Sequence, residues 1–476
     1  MPQAERREDM LFVSAGFLFA FLPLFLFAFM IVPRRAKCAV LLIGSIAFYV
    51  LAHIYEPFAI LVLWLTVLYH YFAGMLLKRY HDRFLLALLI AIDLLVLLSL
   101  RLLCNQLTEH FYFPFPTGAS IYLLMGISYL IEHYRDPSLR SENLLHTALY
   151  LTFFPVMLAG PLIRFRDFLE QTKHLSFRMD TFARGARFFT VGLVKIMVAA
   201  VLTESYENIL QFSNMQVNLG IGLMSLAMMA LIVFFAFSGY SDMGVGLCTM
   251  MGMSVRRDYS NPLLVTSPVW YLKGFFASFY DFWSDYVSGP LSEWMPTHPR
   301  IRLLMDRTLY VLLLTLWFYT DLSAVLIALP LLAVVLLEDL TPIGRFFRCR
   351  LGKVVGWMLT ITVTVLYWTL QRLGSYAKLA EYLHNLSEVS GSYQSLYTYA
   401  TSIGSDFIII TVVALAVLMP LSHTRETLVQ ASSAKWRVCV EAMVMLLLMG
   451  MLLLTLIYFI PQFPQYATNP YAYFVI

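Results

Sequence analysis

Long, uncharged apolar runs recur along this chain and limit what it can fold into more than any other feature. The first extends from Leu11 to Val32, and similar runs follow at about 38–54, 57–77 and 84–104. A helix of about 20 apolar residues is long enough to cross the hydrocarbon core of a bilayer. Only 13% of the 476 residues are charged, whereas a soluble domain carries about a quarter. The sequence therefore predicts an all-α, polytopic helical membrane protein.

Further apolar runs extend this pattern to roughly 10–12 membrane segments. They lie at about 119–132, 188–210, 218–247, 308–319, 322–338, 354–371, 405–421 and 438–461. The first run of the chain is too long for a secretory signal and lacks a small-residue cleavage site, so we expect it to be retained. Because no soluble domain, linker or internal repeat is recognisable, residues 1–476 are predicted to form a single integral-membrane domain.

The basic residues gather in loops, which predict the orientation. These loops lie at 34–37, 78–83, 164–187, 256–257, 345–353 and 425–437. All of them fall on one side if the segment at about 146–163 does not cross the membrane. The positive-inside rule then places that side in the cytoplasm and the N-terminus outside. The net charge of +4 is what such loops give, and it does not indicate nucleic acid as a partner.

One apolar stretch, Phe153–Phe168, is interrupted at its centre and then becomes strongly charged. A helix does not pass smoothly through Pro155 and the Gly160-Pro161 pair. Non-helical backbone at membrane depth is tolerated only where protein or a water-filled cavity surrounds it. The sequence therefore predicts a re-entrant segment with a central cavity built around it.

A second polar interruption closes the long apolar run at 218–247. It contains Ser238, Tyr240, Ser241 and Asp242. A carboxylate near membrane depth is costly and needs a partner. Asp242 is therefore expected either to form part of a site wall or to pair within a buried turn, with Arg256 or Arg257 as its partner.

The amphipathic, aromatic region at about 262–297 is too polar and too interrupted by Gly and Pro to span the membrane. Within it, Asp281 and Asp285 are four residues apart and share one face of a helix. Paired carboxylates can share a proton or bind a cation. The alternative is that they mark the solvated face of an interfacial helix.

Titratable residues of the usual catalytic types do not form a recognisable motif. Of the ten histidines, His133 and His146 are the two nearest the predicted cavity. The five cysteines are scattered without a CxxC pair, so neither a disulfide framework nor a metal site is predicted. No sequence signature of a soluble hydrolase, a nucleotide-binding loop or a zinc enzyme is present.

Several short motifs follow one another in a recognisable order. They are Phe154-Pro155, Ala159-Gly160-Pro161-Leu162-Ile163-Arg164, Phe237-Ser238-Gly239-Tyr240-Ser241-Asp242-Met243, Asn261-Pro262, Asp285-Tyr286 and Pro290-Leu291. In this order and spacing they resemble the motifs of the membrane-bound O-acyltransferase (MBOAT) family. The resemblance is to its bacterial branch, which holds alginate O-acetyltransferases and D-alanyl transferases for teichoic acid, and it covers most of the chain.

The resemblance implies a bacterial inner-membrane protein, surrounded by membrane lipid, with a cavity joining the two faces of the membrane. It implies a thioester donor on the cytoplasmic side, either acyl-CoA or an acyl group on a carrier protein, and no bound cofactor. The acceptor would be an envelope or exported polysaccharide, or an acyl-accepting periplasmic or extracellular protein. The implied cavity-lining residues are Pro155, Gly160, Pro161, Arg164, Ser238, Tyr240, Ser241, Asp242, Asp285, Tyr286 and Trp317.

The chain departs from the family pattern at both expected histidines. Phe276 stands where the resemblance places the first, and Phe318 stands at the catalytic position, directly after Trp317. A phenylalanine ring has no titratable proton and cannot act as a general base. Histidine-based catalysis is therefore expected to be impaired.

Three interpretations follow from this departure. The chain is an acyltransferase that uses another base, for which the candidates are Tyr319, Asp321, His133 and His146. Alternatively it is a non-catalytic homologue that serves as a scaffold or docks partners, with Phe276 and Phe318 packed together to close the tunnel. A transporter or lipid flippase ranks last, because buried charges along a path and inverted repeats are not seen.

Overall fold

The computed structural model describes residues 12–106, 115–136, 139, 143–173, 175–212, 219–259, 265–318 and 323–387. Within these ranges every regular element is helical, which confirms the all-α prediction. A π-helical turn, Gly16–Phe21, leads into the first helix. The helices up to the interrupted segment are α1 (Leu22–Ile31), α2 (Lys37–Ala52), α3 (Pro57–Tyr80), α4 (Arg83–Gln106), α5 (Ala119–Arg135) and α6 (Leu144–Leu151).

The remaining described helices include two very long ones and a series of short ones. They are α7 (Phe154–Met157), α8 (Phe165–Thr172), α9 (Met179–Phe212), α10 (Leu219–Met250), α11 (Pro268–Phe275), α12 (Ala277–Trp283), α13 (Gly289–Trp294), α14 (Pro299–Phe318), α15 (Ser323–Leu340), α16 (Ile343–Phe346), α17 (Arg350–Leu373) and α18 (Tyr376–Ser387). A second π-helical turn, Ser284–Ser288, joins α12 to α13. No element of the described 265–297 region is long enough to cross a membrane, as predicted.

Six helical stretches in the described part of the chain are long and apolar enough to cross a membrane. They are Arg34–Ala52, Pro57–Tyr80, Arg83–Arg101, Met179–Glu207, Gly222–Met250 and Arg350–Leu373. Two shorter apolar stretches, Gly16–Ile31 and Leu144–Met157, accompany them. The chain is therefore a multi-pass membrane protein. The predicted spans at about 405–421 and 438–461 lie outside the described residues.

Local sequence signals account for several helix ends. Pro57 opens α3, where a missing backbone N–H does no harm. The Ser267 side chain accepts a hydrogen bond from the Trp270 N–H at the start of α11. Gly374, with φ of 68°, ends α17 in the left-handed conformation that glycine adopts readily.

The two longest helices, α9 and α10, pack closely through glycines. A Cβ atom added at Gly192 would lie 2.5 Å from the carbonyl oxygen of Gly239, and one at Gly185 would lie 2.5 Å from that of Gly246. Small residues let helix backbones approach each other in membrane proteins. This seam forms one wall of the protein interior.

The interrupted segment breaks where the sequence predicts and is enclosed by protein. Helix α6 ends at Leu151, α7 has only four residues, and the backbone is not helical again until Phe165. Phe154 is fully buried in an aromatic cluster in which its ring centroid lies 5.1 Å from that of Phe25 and 5.4 Å from that of Phe48. Gly244 of α10 packs against the Pro155 carbonyl, since a Cβ there would lie 2.5 Å from that oxygen.

The apolar run predicted at about 308–319 forms a helix that starts earlier than the run. Helix α14 begins at Pro299 rather than near residue 308, because its charged residues find partners inside the protein. Arg307 Nε donates to Asp339 Oδ2 at 2.7 Å, and Asp306 Oδ1 accepts from Trp283 Nε1 at 2.9 Å. Residues 319–322, which connect α14 to α15, lie outside the described residues.

Candidate functional site

An apolar cavity of about 30 Å³ lies beside the interrupted segment; we call it the inner cavity. Side chains from α5, α10, α12 and α14 complete its wall. The lining residues are Ile121, Leu158, Ala159, Gly160, Leu162, Phe237, Phe276, Ser278, Phe279, Leu314 and Trp317. Ser278 contributes a hydroxyl to this otherwise mostly hydrocarbon and aromatic wall.

A second cavity, of about 200 Å³, adjoins the first and is polar; we call it the polar vestibule. Its lining residues are Leu162, Ile163, Arg164, Asp167, Gln171, Ser254, Val255, Arg256, Ser278, Asp281 and Phe282. Leu162 and Ser278 line both cavities. These two residues therefore form a shared wall between a charged space and an apolar one.

Two ion pairs join the polar vestibule to the helices around it. Arg164, at the end of the interrupted segment, pairs with Asp285, and Arg256 pairs with Asp281. The two carboxylates that the sequence places on one helix face thus each take a different arginine. Neither a shared proton nor a bound cation is needed to hold them, and their side chains are only about a third exposed.

Asp242 is buried and carries two cationic partners. Lys195 Nζ donates to its Oδ2 at 2.6 Å, and Arg257 donates to its Oδ1 through Nε at 3.0 Å and Nη2 at 2.7 Å. The expected pairing with Arg257 is confirmed, whereas Arg256 goes to Asp281. Lys195 was missed because it lies inside an apolar run of α9, and Asp242 lines neither of the two described cavities.

The polar residues around Asp242 are equally enclosed. Ser238 and Ser241 are each 1% exposed, and Tyr240 is fully buried. The Oγ atoms of Ser238 and Ser241 have no hydrogen-bond partner among the described residues. From this motif, only Phe237 is among the residues that line the inner cavity.

Tyr286 follows Asp285 and is held by α5. Its hydroxyl donates to Glu132 Oε1 at 2.7 Å and lies 2.8 Å from Ser128 Oγ. The Phe165 N–H donates to the same Ser128 Oγ at 3.4 Å. These contacts fix α5, α8 and the second π-helical turn to one another. No sequence pattern points to Ser128 or Glu132, because their partners are more than 30 residues away.

The two candidate bases that the structure describes, His133 and His146, do not line the inner cavity. His133 is buried, its Nδ1 lies 3.0 Å from the Tyr129 carbonyl oxygen, and its ring packs on Tyr129. Neither His133 nor His146 is among the residues lining the two cavities. Tyr319 and Asp321 lie outside the described residues.

Of the two phenylalanines at the expected histidine positions, only one has a side chain that the structure describes. Phe276 lines the inner cavity and packs against Phe237 and Tyr259, with ring centroids 5.7 and 5.0 Å apart. Phe318 is the last residue of α14, and its side chain lies outside the described residues. The predicted contact between Phe276 and Phe318 therefore stays a prediction.

The other predicted cavity residues are distributed between the two spaces and the packed core. Gly160 and Trp317 line the inner cavity, and Arg164 lines the polar vestibule. Pro155 and Pro161 are buried in the interrupted segment without lining either cavity.

A buried carboxylate that the sequence analysis did not select lies behind the shared wall. Asp258 is 4% exposed and accepts from the Ser278 N–H at 2.6 Å and from Ser278 Oγ at 3.1 Å. The Leu162 N–H donates to Ser278 Oγ at 2.9 Å. Burial raises the pKa of Asp258 to about 6, although the hydrogen bonds from Ser278 oppose that shift. In the sequence Asp258 follows two arginines and is indistinguishable from an ordinary loop charge.

Comparison with known proteins places this geometry in context. The family model for MBOAT, the membrane-bound O-acyltransferase family, matches residues 46–286. The chain is 32% identical over 279 residues to the probable alginate O-acetylase AlgI of Pseudomonas aeruginosa, covering 54% of this chain and 52% of that protein. It thus spans about half the length of the alginate O-acetylases that it matches.

Two more distant relatives extend the comparison. The chain is 22% identical over 435 residues to the peptidoglycan O-acetyltransferase of Helicobacter pylori, which covers 80% of both proteins. It is 27% identical over 188 residues to the teichoic acid D-alanyltransferase of Bacillus subtilis, covering 36% of this chain and 46% of that protein. The names of all three relatives describe transfer to a polymer or acylation of one.

Proposed function

Because the chain belongs to the membrane-bound O-acyltransferase family, we propose that it transfers an acetyl group from a thioester donor to a hydroxyl of an envelope or exported polysaccharide. The observation that carries this proposal is the pair of adjoining cavities, one polar and one apolar, that share Leu162 and Ser278. A thioester donor has a charged carrier part and a small apolar acyl part, and the two cavities match these two parts.

The polar vestibule is proposed to receive the donor. Arg164 and Arg256 line it, and both belong to loops that the positive-inside rule assigns to the cytoplasm. Guanidinium groups bind phosphates well, so they suit the phosphates of coenzyme A or of a carrier protein's pantetheine arm. With this orientation the N-terminus lies outside, and we propose the bacterial inner membrane as the location because the donor would be cytoplasmic.

The inner cavity is proposed to hold the acyl group during transfer. Its wall is mostly hydrocarbon and aromatic and includes the rings of Phe276 and Trp317. A site that excludes water protects a reactive thioester from hydrolysis. The bulky aromatic rings favour a short acyl group, and acetyl is the one that two of the three relatives' names specify.

The acceptor is proposed to be a polymer outside the cytoplasm, reached directly or through an acyl-accepting protein. The relatives are named for alginate, peptidoglycan and teichoic acid, all of which present hydroxyl groups. Because Phe276 and Phe318 occupy the expected histidine positions, we propose that the proton is taken by another group.

The alternative is a scaffold that supports acetylation without performing it. Two measurements separate these functions. The first is the O-acetyl content of exported polysaccharide from cells with and without the protein. The second is release of free coenzyme A from acetyl-CoA by the purified protein, with polysaccharide from the deletion strain as acceptor. Loss of acetyl groups on deletion together with coenzyme A release supports the enzyme, whereas loss without any release supports the scaffold.

A further inference from the structure

Ser278 lines both cavities, and its hydroxyl also contacts a buried carboxylate. Its Oγ donates to Asp258 Oδ2 at 3.1 Å and accepts from the Leu162 N–H at 2.9 Å. Both of its partners are fixed, since the Leu162 N–H belongs to the interrupted segment and Asp258 also accepts from the Ser278 N–H. The hydroxyl is therefore held at the boundary between the two cavities.

Asp258 is a carboxylate in an environment that favours proton exchange near neutral pH. It is 4% exposed, and burial disfavours the charged form of a carboxyl group. The charged groups that act on it are Arg256, which lowers its pKa, and Asp281, which raises it. These two neighbours are paired with each other, and they act on the pKa of Asp258 in opposite directions.

The position of Asp258 and Ser278 relative to Phe276 suggests the role of these two residues. Phe276 and Ser278 are two residues apart and both line the inner cavity. A base that acts on a group in this cavity must reach it from the wall, and the aromatic ring of Phe276 cannot accept a proton. Ser278 is the residue of this wall whose hydroxyl leads to a carboxylate.

We infer that Asp258 and Ser278 form a proton relay that takes the place of a histidine base in acyl transfer. This inference rests on the proposed function. Asp258 acts through Ser278, whose hydroxyl touches the reacting group at the boundary between the polar vestibule and the inner cavity.

The proposed step transfers one acyl group and one proton. The acceptor hydroxyl gives its proton to Ser278 Oγ as its oxygen attacks the thioester carbonyl carbon, and Ser278 gives its own proton to Asp258 Oδ2. The C–O bond forms and the C–S bond breaks, which leaves the acyl ester and a thiolate. The proton then returns from Asp258 through Ser278 to the thiolate sulfur, so that the free thiol leaves and the relay is restored.

A merely structural role is the competing explanation, because Asp258 also satisfies the Ser278 N–H near the start of α12. Asp258→Asn separates the two roles, since an amide oxygen can still accept that N–H but cannot take a proton. Ser278→Ala removes the relay, and Ser278→Thr keeps a hydroxyl. Ser284→Ala is the matched control, because Ser284 is an exposed serine on the following turn and lines neither cavity.

The experiment measures coenzyme A release by the full-length purified protein from acetyl-CoA, with deletion-strain polysaccharide as acceptor, between pH 5 and 8. A base must be deprotonated to act, so wild-type kcat should fall as the pH drops through about 6. Loss of a positioned base reduces the rate by about 10²–10⁴. We expect this loss in Asp258→Asn and Ser278→Ala, disappearance of the acid limb in Asp258→Asn, and substantial rescue in Ser278→Thr.

Four outcomes of this experiment support or overturn the relay. The expected pattern, with Ser284→Ala equal to wild type, supports the relay. Wild-type turnover without an acid limb near pH 6 overturns it, whether or not any variant folds. Equal turnover in wild type, Asp258→Asn and Ser278→Ala overturns the relay and leaves the proposed function intact. Absence of coenzyme A release by the wild type overturns the proposed function and the relay together.

Discussion

Several buried charged side chains in the described part of the protein form ion pairs that join separate elements. Lys195, Asp242 and Arg257 connect α9, α10 and the loop after α10, with two cations on one carboxylate. Desolvating such charges is expensive, and only their mutual contacts offset that expense. These three residues therefore stabilise the fold, and they can be essential without touching a substrate.

This arrangement predicts an unequal response to two neutralising substitutions. Asp242→Asn leaves Lys195 and Arg257 without a counter-charge, and loss of one partner from a buried pair costs about 3–5 kcal/mol. Lys195→Met leaves the contact between Asp242 and Arg257 in place and should cost less. Thermal unfolding in detergent measures both, with the exposed Lys78→Met as the control. Equal losses for the two variants would contradict the proposed geometry.

If the polar vestibule binds the donor, substitutions of Arg256 and of its partner Asp281 should change KM for acetyl-CoA in opposite directions. Arg256→Gln removes a cation and leaves Asp281 unpaired, so KM for acetyl-CoA should rise about tenfold, the value of one charge-assisted hydrogen bond. Asp281→Asn leaves Arg256 unpaired and should lower KM. Initial rates at varied acetyl-CoA give both values, and Arg300→Gln, outside both cavities, controls for the change in net charge. Changes of the same sign in both variants would argue against donor binding here.

At the scale of the element, prediction from sequence worked where a signal is local. Apolar runs gave α2, α3 and α4 to within about three residues, and Pro155 with Gly160 gave the interruption between α6 and α8. The start of α14 could not be predicted, because its charged first half is held by Trp283 and Asp339 from other parts of the chain. Asp258 and Ser278 could not be predicted for the same reason, since 20 residues separate them and no spacing rule links them.

Adding a side chain at the glycine contacts between α9 and α10 should lower the stability of the protein. Gly192→Ala places a methyl group 2.5 Å from the backbone oxygen of Gly239, which cannot move without shifting a helix. Overpacking of this kind costs about 1–3 kcal/mol. Unfolding in detergent should show this loss, whereas Gly289→Ala, whose added carbon would meet only one oxygen at 3.3 Å, should change stability much less. Similar losses in both variants would mean that close helix approach is not the cause.

At the scale of the whole molecule, long helices alternate with basic connections. This alternation predicts on which side of the membrane each helix end lies. Tyr55 lies between α2 and α3 and is 85% exposed, and Arg79 lies at the opposite end of α3. In a cysteine-free background, Tyr55→Cys should react with a membrane-impermeant thiol reagent added to cells whose outer barrier is open. Arg79→Cys should react only after the inner membrane is disrupted. The reverse pattern would invert the orientation and move the polar vestibule outside.

The wall shared by the two cavities has a consequence for the energy metabolism of the cell. An ion entering from the charged side meets hydrocarbon and aromatic rings beyond Leu162 and Ser278, where a bare charge is strongly disfavoured. An acyl group has no net charge and is not subject to that barrier. Vesicles containing the protein should therefore hold an imposed pH gradient as long as empty vesicles do, so that many copies can work in a membrane without discharging its stored electrochemical potential.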